Sequence, residues 1–196
     1  SENKNITELG RRVSATNLSV SEALTLFESD KLGVSDIVCR ILAMRSVESD
    51  ISKWIYEPLE RNIKQFRHKS GELFILEKML TSYMKSKDKQ NWAYKHFVSK
   101  KIEQASKQYY KLKFVVQQFR KTGIRESNSI ADVRRAFSVG FAQNIITQIQ
   151  KNIYKINRPF KEIAIKSDYV KLSKKMLFLD IVSINGQLNV SNLLEL

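Results

Sequence analysis

The chain has 196 residues, 34 Lys and Arg against 20 Asp and Glu, a formal charge of +14, and only 6 Gly and 2 Pro. Gly and Pro this scarce exclude a collagen, a low-complexity chain and a Gly-rich loop enzyme, and they favour long helices. Apolar residues at 42% and aromatic residues at 10% supply enough material for a packed core, which argues against disorder.

The first residues, Ser1 to Asn5, are polar and form no signal peptide, so the chain reads as cut from inside a larger protein. Ser19 with Glu22 makes a capping box, and the helix it opens, Val20 to Leu32, stops at Gly33. Ser35 opens the next helix, Asp36 to Val47. Cys39, the only cysteine, sits in that apolar stretch and reads as a buried, inert thiol of a reducing compartment. Glu57-Pro58 suits the start of a helix from Leu59 to His68, and Glu72 to Met84 is a helix by the spacing of Leu73, Leu76, Leu80 and Tyr83. Asn91 caps a long helix from Trp92 to Lys121, with Gly123 just past its end. Ser129 with Asp132 opens a helix that can run to Tyr154 before Arg158-Pro159 stops it.

After Pro159 the apolar period falls to two, and Asn185-Gly186 is a strong hairpin signal. Residues 160–196 are therefore expected as a small antiparallel ribbon packed on the preceding helix, with Ala136 and Gly140 as the small-residue patch that receives it. The fold class is α+β, mostly α. No segment reaches the roughly 18 uninterrupted apolar residues of a membrane span.

Charge is unevenly placed. Residues 1–50 carry 6 bases and 8 acids, whereas residues 51–196 carry 28 bases and 12 acids. A polyanion-binding surface is expected in the second part, nucleic acid before an anionic membrane, because neutralising phosphates releases counterions. A lysine-rich solvated surface is the competing reading.

Catalytic and cofactor signatures are missing. The glycines, at 10, 33, 71, 123, 140 and 186, never cluster into a phosphate loop or dinucleotide fingerprint. His68 and His96 lie apart and lack a ligand-spaced cysteine, which argues against zinc. Glu57 and Glu60 fall at a helix start, where carboxylates complement the dipole. No catalytic residue is assigned within the chain.

Along the helix from Trp92, the residues Val98, Ile102, Ala105, Tyr109, Leu112, Val116 and Phe119 recur by steps of four and three, a seam about 30 Å long. Lys100, Lys107 and Lys111 share a stripe opposite that seam, with Tyr110 and Phe114 beside it. Alternating bases and rings of this kind suit a single strand, ammonium groups on phosphates and rings under bases. Alternatively, the rings pack on a second neighbour and the lysines are simply hydrated.

Three stretches, in this order, resemble the C-terminal region of DEAH/RHA-type ATP-dependent RNA helicases. Thr7-Glu8-Leu9-Gly10-Arg11-Arg12 is similar to the winged-helix end. Ser70-Gly71-Glu72-Leu73, followed by Trp92-Ala93-Tyr94-Lys95-His96-Phe97 and Ala105, resembles the helicase-associated region. Val133 to Asn144, with Arg134-Arg135-Ala136-Phe137 and Gly140-Phe141, resembles the helix that opens the family's oligonucleotide-binding (OB) domain. The family's arginine in the middle motif falls on Lys100 or Lys101, Glu72 replaces its aspartate, and the final domain is short. These departures mark a divergent member, of the kind a large DNA virus replicating in the cytoplasm would carry.

The resemblance implies a winged-helix end over residues 1–50, a ratchet-like helical bundle over 51–125 and a short OB-like domain over 126–196. Their role in such helicases is to hold and steer single-stranded RNA or DNA, with Lys100, Lys101, Lys107, Tyr110 and Lys111 as the contact residues. Arg134 and Arg135 would line the same path or brace the OB-like domain. ATP and magnesium would belong to upstream RecA-like motor domains, with no cofactor in this chain. The other implied partners are those motor domains and a protein activator at the OB-like domain, in the cytoplasm rather than the nucleus and with no membrane. The alternative from a different class is a basic helical scaffold that binds protein.

Overall fold

Local signals set the first helices. The computed structural model describes residues 7–56, 64–120, 124–156, 161–165, 167, 169, 171–184 and 187–196. Thr7 caps α1 (Glu8–Thr16) by accepting from the Gly10 N–H, and Asn17 closes it in the left-handed region. Ser19 and Glu22 form the full reciprocal capping box of α2 (Val20–Lys31), and Gly33 follows at φ 74°. In α3 (Ser35–Val47), Ile37, Val38, Cys39, Ile41, Leu42, Ala43 and Met44 are all buried, so apolar side chains surround the helix and it must lie in the core. It packs on α2, on α4 (Glu72–Lys85) and on α6 (Ile102–Phe119).

Two long helices expected from the sequence are shorter here. Instead of one helix from Trp92, the chain forms α5 (Lys89–Lys95), capped by Asp88 rather than Asn91, and then turns before α6. Phe97 makes that turn at φ 55°, and residues 97–99 pair with residues 54–56 through the Ile55–Val98 bridge. A bulky residue carries the break where Gly would have signalled it.

The helix capped by Ser129, α7 (Ile130–Gly140), also ends early instead of reaching Tyr154. Ile145, Ile146, Thr147, Ile149, Ile153 and Ile156 are β-branched, and they continue as β1 (Ile145–Gln150) and β2 (Ile153–Ile156) around Asn152 at φ 62°. Of the helix expected from Leu59 to His68, residues 59–63 lie outside the described residues, and Lys64–Phe66 is a single 3-10 turn. Gly123, Arg158-Pro159 and the Asn185-Gly186 turn also lie outside them.

Five strands form an antiparallel sheet in the order β3-β2-β1-β4-β7, with β3 (Lys161–Ala164), β4 (Lys175–Leu177) and β7 (Leu194–Glu195). A fourth strand returning beside the first of a meander is a Greek-key connection. β5 (Asp180–Ile184) and β6 (Gln187–Ser191) pair separately, from Asp180 with Ser191 to Ile184 with Gln187. Ile146, Tyr154, Ile156, Ile163, Ile165, Met176, Phe178 and Leu193 form this unit's own core. The molecule is thus α+β, mostly helical, with the strands at the C-terminal end. No described helix is long and apolar enough to cross a membrane.

The ribbon does not seat on the Ala136–Gly140 patch. A Cβ on Gly140 would lie 2.1 Å from Thr25 Oγ1 and 2.2 Å from the Ser21 carbonyl, so α2 occupies that patch. Leu177 and Leu194 belong to the same core as Val133 and Phe137 of α7, and hydrogen bonds tie the β unit to the start of α4. Glu72 N–H donates to the Leu193 carbonyl (2.7 Å), and the Glu72 carboxylate accepts from Leu193 N–H (2.9 Å) and Ser167 Oγ (2.7 Å). Burial pushes the Glu72 carboxyl above its ordinary range, against the opposing pull of those donors.

Candidate nucleic-acid interface

Helix α6 carries Lys107, Tyr110 and Lys111 of the residues expected to bind, and the seam on its inner face positions them. Val98, Ile102, Ala105, Tyr109, Leu112 and Val116 are all buried, as their spacing requires. At the far end Phe119 meets Phe27 edge-on at 6.3 Å, and the Arg12 guanidinium lies 5.2 Å from the Phe119 ring centre.

Polar contacts fix the rotation of α6 against α3. The Tyr109 hydroxyl donates to Asp36 Oδ1 (2.6 Å), and Lys113 Nζ donates to the same oxygen (3.1 Å). Arg40 pairs with Asp36 and reaches Glu77 on α4 (2.8 Å). Arg120 Nε donates to Asp30 (2.8 Å) and its Nη2 to Ser35 Oγ (2.8 Å). Burial alone would raise the Asp36 carboxyl, but the Tyr109 hydrogen bond and the Arg40 and Lys113 charges outweigh it and hold it low. Burial, followed by the Asp36 charge, pushes the Cys39 thiol up to about 12, so this cysteine is protonated and unreactive at neutral pH.

With the seam turned inward, Lys107, Tyr110, Lys111 and Phe114 face solvent on the next two turns. Tyr110 is 57% and Phe114 61% exposed, so neither ring packs on a second helix among the described residues. Lys100 is exposed and precedes the helix by two residues. Among the described residues, Lys100, Lys107 and Lys111 have no ion-pair partner. Glu103 is the one acid in α6.

The other expected contacts are placed differently. Lys101 is held by Glu48 at 2.9 Å, which also draws the Glu48 carboxyl below its ordinary range. Arg134 pairs with Glu195 on β7 at 2.8 Å and so braces the C-terminal strand. Arg135 is exposed, on a helix that packs against α2 rather than beside α6. Sequence reading missed three further exposed rings, Tyr56, Tyr94 and Phe97, beside the turn that leads into α6. They became visible only once the helix break brought residues 54–56 against 97–99.

Taken chemically, the outer face of α6 can neutralise anionic groups and offer flat apolar surface between them, at intervals of about 6 Å for residues four apart. Compared with family models and with curated proteins, the chain matches none.

Proposed function

We propose that the chain is the accessory region of an ATP-dependent DEAH-type RNA helicase, and that it binds and guides a single strand along the outer face of α6. The observation that carries this reading is the pairing of two exposed rings, Tyr110 and Phe114, with lysines that have no acidic partner among the described residues. Lys100, Lys107 and Lys111 would contact the sugar-phosphate backbone while the rings stack on bases. Contacts of both kinds tolerate any sequence, as a translocating strand requires. In this reading Lys101 and Arg134 are structural, spent on Glu48 and Glu195. Hydrolysis of ATP with magnesium would be the work of RecA-like motor domains, whose motion the α6 face resists or follows.

The test is a set of binding titrations with poly-U at several salt concentrations. Replacing Lys100, Lys107 and Lys111 with Gln should flatten the salt dependence by about 0.7 log units per lost contact. Tyr110→Ala should weaken binding by about 1 to 3 kcal/mol with little change in that slope. A triple variant that keeps the parent's affinity and slope contradicts the proposal.

A further inference from the structure

The turn between α5 and α6 is a Schellman motif with the wrong residue in it. Val98 N–H donates to the Ala93 carbonyl (2.9 Å) and Phe97 N–H to the Tyr94 carbonyl (3.2 Å), which places Phe97 at the left-handed position, φ 55°. Gly normally fills that position, because a Cβ there crowds the backbone. The backbone around Phe97 is also pinned. Tyr56 N–H donates to its carbonyl (2.9 Å), and Ser99 N–H donates to that of Trp54 (2.8 Å).

Ile55 and Val98 are buried at the bridge, whereas Tyr56 and Phe97 beside it are exposed. Tyr94 is 82% exposed and Phe97 46%. A large ring is therefore held at the surface in a conformation that costs stability, and such positions gather where binding needs them. Lys95 and Lys100 are exposed within three residues of Phe97, and Lys100 stands two residues before α6.

We propose that Tyr56, Tyr94 and Phe97 form a second stacking platform for the same single strand, which runs from the Lys107–Phe114 face past Lys100 onto these rings. The inference rests on the nucleic-acid reading of α6. A single strand fits better than a protein segment because the exposed rings Tyr94 and Phe97 stand among Lys95 and Lys100 in the chain, and flat rings flanked by cations match bases flanked by phosphates.

Labelled oligo-U of about 4 and about 16 nucleotides, the usual range of site sizes, tests it on the whole chain. Tyr94→Ala should melt like the parent and bind the longer oligomer about 5- to 150-fold more weakly, the equivalent of about 1 to 3 kcal/mol. The loss should be smaller for the shorter one, which can sit on α6 alone. Phe97→Gly should melt at or above the parent temperature, since Gly suits the left-handed position, and should also bind more weakly. If Tyr110→Ala weakens binding while Tyr94→Ala and Phe97→Gly do not, the platform is refuted and the α6 reading stands. A sharp drop in melting temperature for Phe97→Gly with unchanged binding by Tyr94→Ala would assign the rings to packing or to a protein partner, and refute it equally. No binding by the parent chain refutes both readings.

Discussion

Gly140 shows how much a missing side chain can decide. Replacing a helical Gly with Ala ordinarily adds roughly 0.5–1 kcal/mol of stability. Here the new Cβ would fall 2.2 Å from the Ser21 carbonyl of α2, a backbone atom that cannot step aside. Gly140→Ala should therefore destabilise, by about 1 to 3 kcal/mol. A thermal melt checks the sign, and a variant as stable as the parent would contradict the close α2–α7 contact. The sequence marked Gly140 as a point of close approach but not its neighbour, because Ser21 and Thr25 are 119 and 115 positions away in the chain. The left-handed positions divide in the same way. Asn17, Asn152 and Asn192 are residues that favour this conformation, whereas Phe97 is not, so no local signal announced the turn before α6.

Elements were legible in proportion to how well their apolar spacing excluded alternatives. The seam matched its burial from Val98 to Val116, with Phe119 half-buried at its end, and the capping box at Ser19 and the Ser129 cap located two helix starts. Residues 141–156 were misread because their isoleucines fit a helical period as well as an alternating one, and only pairing with residues 161–164 and 175–177 settles it. What locks α6 onto α3 is the Asp36 carboxylate, and this has a signed consequence. Its folded value lies below the ordinary one, so its ionised form stabilises the fold above the ordinary range and this contribution is lost as pH falls through the folded value. Asp36→Asn should lower stability at neutral pH, and the gap to the parent should close below about pH 4. Melts across pH 2 to 7 would detect this, and a gap independent of pH would contradict the Asp36 network.

For the molecule as a whole, the acids of the N-terminal stretch are largely spent on bases. Asp30 holds Arg120, Asp36 holds Lys113 and Arg40, Glu48 holds Lys101, and Glu22 shares Arg45 with Asp180. This pairing could not be read from the charge count, which gave only a net of −2 followed by +16. It leaves the α6 stripe among the cations without acidic partners, which is the physical basis for placing a strand there. The most direct measurement is photo-crosslinking of 4-thiouridine-substituted oligo-U to the whole chain, followed by mapping of the crosslinked peptides. The account predicts adducts between residues 94 and 114, suppressed by high salt. Adducts confined to the β unit, or to α7 around Arg135, would contradict it.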